Sequence, residues 1–315
     1  MEYRNLGHSG LQVSLAGLGT NNFGMKIDKE YSAAVVDRAL ELGVNFFDTA
    51  DIYGGGRSEE FLGAALGDRR KNVVVTTKFA VPTGEGPLNR GASRRYIIQE
   101  VEASLRRLGT DWIDLYQLHF PDTTTPLDET MRALDTLVRD GKVRYIGCSN
   151  FAAWQLVEAQ WVARTEHLTP FISAENEYSL LNRRIERELV PACKQYAVGV
   201  LPYFPLASGF LTGKYRPGEP PPAGSRLALW GARGQAFMSE RNFAVLEKLE
   251  EFAQSRERTV LELALGWLAS QPLVSSVIAG ATSPEQVELN VKAVDWRLGE
   301  QDLAEVDALT KTEDN

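Results

Sequence analysis

The chain is poor in the residues that staple a fold or ligate a metal: of 315 residues, 2 are Cys and 3 are His. Cys148 and Cys193 cannot build a disulfide scaffold, so a reducing cytoplasm is the expected setting. His8, His119 and His167 fall at no metal-ligand spacing, and no metal is expected. No run of residues approaches the ~18 consecutive apolar positions of a membrane helix, so no membrane partner is expected. The first residues, MEYRNLGHSG, carry charge and glycine where an export leader needs an apolar core. Positive charge is also scarce. With 34 Lys and Arg against 42 Asp and Glu, the net charge of −8 argues against nucleic acid, whose phosphates demand clustered cations. A Gly-x-Gly-x-x-Gly turn is missing too, because Gly17, Gly19 and Gly24 have the wrong spacing for an open dinucleotide-binding sheet.

What is present is an alternation. Short apolar runs rich in Val, Ile and aromatics stand at 15–20, 44–48, 73–78, 112–119, 143–148, 171–176, 198–203 and 275–279. Runs of this length and composition read as strands covered on both faces. Helical periodicity fills the gaps at 31–42, 94–108, 127–140, 151–163, 184–196, 259–270 and 284–294. Eight strand–helix units with no linker-like break predict a (β/α)8 TIM barrel as one domain over 1–315. Helices at 240–255 and 300–310 read as additions, and 214–237 reads as a long loop after strand seven.

Barrel enzymes work at the C-terminal ends of their strands. Polar residues at those ends are Asp48 with nearby Tyr53, Lys78, His119, Ser149 with Asn150, and Glu175 with Asn176. Each has a plainer reading alone: Asp48 as a turn residue, Tyr53 as a loop aromatic, His119 as a core histidine, Ser149 and Asn150 as a helix cap. Asp48, Tyr53, Lys78 and His119 together compose one chemical device. A phenol titrates near ~10 in water, a nearby ammonium is expected to lower that value, and a carboxylate holds the ammonium. A histidine beside the phenol donates to a substrate oxygen, so the set suits protonation of an oxyanion as hydride reaches a carbonyl carbon.

The stretches NFFDTADIYGGGRSEEFLGAAL, VVVTTKF, DLYQLHF, IGCSNF, ENEYSLLNR, PLASGFLTGKY and GATSPEQVELN resemble the aldo-keto reductases over essentially the whole chain. The resemblance implies a (β/α)8 barrel that binds NADPH or NADP+, with NADH use open, and Tyr53 as general acid in a tetrad with Asp48, Lys78 and His119. It implies cofactor contacts at Gly19, Thr20, Asn21 and Asp48, at Ser149, Asn150 and Tyr203, and at Leu206, Gly209, Leu211, Gly213 and Lys214. Near the adenosine it implies Ser225, Arg226, Gly280, Thr282, Gln286 and Asn290, with Arg226 on the 2′-phosphate. Glu175 stands where the family commonly has Gln, and would add negative charge beside a ring that is cationic when oxidised. Leu289 replaces a frequent Glu, and Phe204 a frequent Ser. The substrate pocket for a small carbonyl compound is expected from Phe23, Tyr53, Phe79, His119 and Phe120, with Trp230 as a further wall.

Two other functions stay open at this level. Relatives resembling potassium-channel β subunits bind cofactor and act as regulatory partners with slow turnover. A Schiff-base enzyme using Lys78 is the third reading, disfavoured because Asp48 would keep the amine charged.

Overall fold

The computed structural model describes residues 1–310. All eight expected strands form, as β3 (Ala16–Gly19), β4 (Phe46–Asp48), β5 (Val74–Phe79), β6 (Ile113–Leu118), β7 (Val143–Ser149), β8 (Phe171–Glu177), β9 (Gly199–Tyr203) and β10 (Val277–Gly280). Their order in the sheet is β10-β3-β4-β5-β6-β7-β8-β9, and every neighbouring pair is parallel. The two ends of the sheet meet through Val200, whose N–H donates to the Leu273 carbonyl at 2.8 Å and whose carbonyl accepts from Ser275 at 3.0 Å. The fold is a (β/α)8 barrel.

Strand periodicity explains what faces inward. Phe46, Val74, Leu115, Leu201 and Ile278 pack together inside the barrel. Side chains two or four positions further along a strand share its face. That rule carries Asp48 inward after Phe46, Lys78 after Val74, Gln117 after Leu115, and Tyr203 after Leu201. The floor is sealed by a hairpin absent from the sequence reading, β1 (Tyr3–Asn5) with β2 (Gln12–Ser14), whose flanking Leu6 and Val13 enter the same cluster. Phe47, Val75, Tyr116 and Ile146 face outward into the larger core beneath the helices.

The helices lie close to their expected ranges: α1 (Lys29–Glu41), α3 (Arg94–Leu108), α4 (Leu127–Arg139), α5 (Ala153–Glu166), α6 (Leu189–Tyr196), α9 (Glu240–Gln254), α10 (Val260–Ala269), α11 (Pro284–Ala293) and α12 (Glu300–Thr310). Local chemistry sets their starts. The Ser93 side chain accepts from Tyr96 N–H, and Thr259 with Glu262 forms a capping box.

Three readings need correction. A helix, α2 (Arg57–Leu66), follows Tyr53 behind a left-handed Gly56 instead of a side-chain cap, so the cap signal is missing from the sequence. The stretch 214–237 is not all loop: Ser225 caps a short α7 (Arg226–Leu229), and α8 (Ala232–Phe237) follows. Ser149 and Asn150 do not cap α5, whose N-cap is Ala152. Among the described residues no helix is long and apolar enough to cross a membrane.

Candidate active site

A cavity of about 1520 Å³ opens where the barrel strands end, larger than the ~300–1,000 Å³ of ordinary small-molecule pockets. Its walls include Gly19 and Gly280 at the ends of β3 and β10, Asp48, Ser149, Glu175 and Tyr203.

Tyr53 reaches the cavity through an unusual turn. Gly54, Gly55 and Gly56 all have positive φ, at 61°, 69° and 91°, a run that only glycine adopts without strain. The turn is anchored by Asp51 N–H donating to the Lys78 carbonyl at 3.2 Å. Behind it, the Ser58 hydroxyl lies 2.8 Å from Thr20 Oγ1 and 2.9 Å from Thr49 Oγ1, tying β3, β4 and α2 together. The Lys78 ammonium then lies 5.4 Å from the Tyr53 ring centroid, and the His119 ring stands edge-on to Tyr53 at 5.9 Å.

Lys78 is the centre of the charges. It is 0% exposed and forms ion pairs with Asp48 and, at 3.2 Å, with Glu175 Oε1, while donating to the Thr49 carbonyl at 3.1 Å. Glu175 Oε2 accepts from Gln117 Nε2 at 2.6 Å. Burial alone would lower the lysine, but the carboxylates of Asp48 and Glu175 outweigh it and raise its pKa. An amine held cationic in this way is a poor Schiff-base nucleophile. The Asp48 carboxyl is pushed up to about 8 by burial and then by the like charge of Glu175, against the lowering pull of Lys78.

Two expectations change at this point. Burial raises the Tyr53 phenol above its ordinary value, and the opposing pull of Lys78 does not overcome it. The phenol is therefore held as a protonated acid, not lowered toward phenolate. His119 is pushed down to about 3 by burial and by Lys78, so it is a neutral imidazole at pH 7. Its Nδ1 is buried without a partner, which leaves Nε2 as the nitrogen available in the cavity.

Asn150 adopts a left-handed φ of 61°, tolerable for Asn, and spends its amide on the wall. Its Nδ2 donates to the His119 carbonyl and to Ser149 Oγ, each at 3.0 Å, and its Oδ1 accepts from Tyr203 OH at 2.7 Å.

The far end of the cavity is cationic. Lys26, Lys214 and Arg226 line it and form no ion pair among the described residues. Burial depresses all three, and mutual repulsion adds to it: Lys26 feels Arg226 and Lys214, and Lys214 feels Arg226. Unpaired, partly desolvated cations that crowd one another constitute a site for an anion. The chain beside them bends through Ala207, Ser208 and Gly209 at φ of 48°, 59° and 90°, and non-glycine residues at positive φ carry a strain of ~1–3 kcal/mol each. Between the two ends the Arg226 guanidinium lies 4.9 Å over Phe204, and Phe204 and Trp230 meet edge-on at 5.9 Å.

Most of the expected residues meet in this cavity: Gly19, Asn21, Asp48, Tyr53, His119, Ser149, Asn150, Glu175, Tyr203, Leu206, Gly209, Lys214, Ser225, Arg226, Gly280, Thr282, Gln286 and Asn290. Leu289 lines it as well, 54% exposed. Lys78 lies directly behind the wall. The structure does not bring Thr20, Leu211 or Gly213 to the lining. Thr20 is fully buried and donates to the Asp48 carbonyl at 2.9 Å, Leu211 is core, and Gly213 caps a turn. Phe23 and Phe79 are also core residues, Phe79 stacking on Tyr116 at 4.7 Å. Phe120 does face the cavity, 49% exposed and stacked on His119 at 5.1 Å. Lys26 was missed by sequence reasoning. A lone Lys in the loop after β3 carries no local signal that separates it from an ordinary solvated charge.

The family model "Aldo/keto reductase family" matches residues 16–311. A rice protein named as a probable voltage-gated potassium channel subunit beta is 40% identical over 302 residues, covering 94% of this chain and 92% of its own length. An Arabidopsis thaliana protein of the same name is 40% identical over 303 residues, at 94% and 92% coverage. A Bacillus subtilis protein, the uncharacterized oxidoreductase YrpG, is 39% identical over 314 residues, at 96% and 94%.

Proposed function

The chain belongs to the aldo/keto reductase family and is an NAD(P)H-dependent oxidoreductase, and we propose that it reduces an aldehyde or ketone to an alcohol, reversibly, with NADPH. The observation that carries this reading is the constellation at the cavity floor: a protonated phenol beside an ammonium and a neutral imidazole.

The cavity fits the cofactor. Its length runs from the polar strand ends to three unpaired cations suited to phosphates, and a guanidinium such as Arg226 forks onto phosphate oxygens. Lys26, Lys214 and Arg226 would hold the phosphates, and the Ser149–Asn150 edge and Tyr203 would hold the nicotinamide. When bound, NADPH supplies the hydride, two electrons that reach the carbonyl carbon. Tyr53 gives its proton to the carbonyl oxygen, so one C–H and one O–H bond form and the phenolate remains. Lys78 stabilises that phenolate, and Asp48 holds Lys78 in place. His119 donates from Nε2 to the same oxygen and orients it. A phenol that stays protonated until the oxyanion develops wastes no proton before the hydride arrives.

NADPH oxidation over a panel of aldehydes, ketones and sugars tests the reading. Turnover with at least one class supports it. Cofactor binding with negligible turnover across the panel would favour a role as a channel subunit, the role named for the plant relatives. The whole of 1–315 is proposed as one catalytic unit, with a cytoplasmic setting suited to its two free, buried cysteines.

A further inference from the structure

Two carboxylates share one ammonium at the cavity floor. Asp48 is 3% exposed, Glu175 2% and Lys78 0%, and the three are joined by ion pairs. Counted as ions they sum to one excess negative charge. Two further cations line the same cavity, Arg226 acting on Tyr53 and Arg233 acting on Tyr203, but they form no ion pair with the triad among the described residues. The groups packed against the triad do not cancel its charge. Tyr53 from the glycine turn, His119 after β6, Gln117 on β6, Ser149 and Asn150 on and after β7, and Tyr203 on β9 are all neutral. Thr76 and Thr77 on β5 are neutral as well. Glu177, at the end of β8, lines the cavity and adds to the negative side. An unbalanced charge in a water-poor site calls for a cation.

Resting on the cofactor reading above, we propose that Glu175 makes the Asp48–Lys78–Glu175 triad a one-charge counter-ion for oxidised nicotinamide, so that this protein favours NADP+ over NADPH and releases a proton when NADP+ binds. The nicotinamide ring is cationic when oxidised and neutral when reduced, so the excess charge attracts only the oxidised form. Without a cation the triad holds a proton near neutral pH, in keeping with the raised Asp48 carboxyl. NADP+ displaces that proton and NADPH does not. Glu175 acts here through Lys78 and the local field. Its two oxygens are already engaged by Lys78 and Gln117, so it is a positioning residue and not a direct hydrogen-bond partner of the carboxamide.

The test is nucleotide binding, without turnover, followed by intrinsic tryptophan fluorescence, to which Trp230 contributes from the cavity wall. In the wild type the NADP+ affinity should rise relative to NADPH as pH increases toward 8. Titration of the 2′-phosphate is common to both nucleotides and cancels in the ratio. Glu175→Gln should weaken NADP+ by about tenfold, leave NADPH within about twofold, and abolish the pH dependence of the ratio. Equal changes for both nucleotides, or a ratio that keeps its pH dependence, would overturn the inference alone. Wild-type protein that binds neither nucleotide would overturn the cofactor reading and the inference with it. Should Glu175→Gln fail to fold, Glu175→Asp keeps the charge: a preserved ratio supports the counter-ion and a collapsed one rejects it.

Discussion

The two ends of the cavity are built on opposite plans. At the floor, the charges of Asp48, Lys78 and Glu175 sit on or beside strand ends, fully buried and mutually paired. At the rim, Lys26, Lys214 and Arg226 sit on loops or a short helix, partly exposed and facing one another without counter-ions. The floor's charges are held by one another. The rim stores repulsion that an anion would relieve. The first plan suits a reacting centre, where atoms must be held to fractions of an ångström, and the second suits affinity for a charged handle remote from the chemistry.

If the floor performs the chemistry, its loss should cost turnover and spare binding. Tyr53→Phe should lower kcat by ~10²–10⁴ while the NADPH Kd moves by no more than about twofold. Near wild-type turnover in that variant would end the assignment of the acid. Support behind the floor comes next. Arg107 pairs with Glu100 at 2.6 Å and with Glu59, and acts on the buried Asp51 carboxyl, whose oxygens have no hydrogen-bond partner among the described residues. Arg107→Ala leaves these acids uncompensated and should cost ~3–5 kcal/mol of stability by denaturant unfolding. A loss below ~1 kcal/mol would mean that water replaces the guanidinium.

At the rim the effect should appear in affinity alone. Arg226→Ala should weaken NADPH ~10–100-fold more than NADH, read by titration with both nucleotides. An equal effect on the two would assign the 2′-phosphate to Lys26 or Lys214. The smallest expected effect is on stability against pH. Asp48 has a raised pKa of about 8, so the folded state binds more protons than the unfolded one above pH 4, and stability falls as pH rises toward 8. His119, lowered to about 3, acts oppositely: its neutral form stabilises above pH 6.5, and that contribution is lost as pH falls toward 3. Between pH 4 and 6.5 the two slopes oppose each other. From 6.5 to 8 the His119 slope is gone and the Asp48 slope remains, worth about 2 kcal/mol, with the raised Asp51 carboxyl acting in the same direction, so the ligand-free protein should lose stability there. Thermal melts at fixed ionic strength check this, and a rising Tm over that interval would contradict the charge assignment of the floor.

The floor was legible in the sequence for a physical reason. A polar residue that ends an apolar strand stands at the mouth of a barrel, so Asp48 and Lys78 could be placed from the strand ends, whereas Tyr203 was placed only through family resemblance. Phe79 was misplaced because the strand alternation was not applied to it: one position past inward Lys78, it faces the outer core with Val75, while Phe23 lies in the loop beyond β3, where no strand period reaches. Tyr53 was legible only as the phenol near strand-end Asp48, and the glycine turn that follows it came from the structure. The rim was legible only through family resemblance, and Lys26 not at all. Nothing local tells a loop cation at a phosphate site from one in solvent.

Alternating apolar runs and helical stripes were enough to specify a closed parallel barrel and the end at which its polar residues gather, because both follow from the periods of strand and helix. Protonation states were beyond that reach. A phenol next to an ammonium was expected to fall in pKa, yet burial lifts it. A glutamate on β8 was expected to greet the cofactor, yet it shares the lysine of β5. Burial and counter-ion sharing depend on how residues from four different strands converge, and that distance in space leaves no trace in the order of residues along the chain.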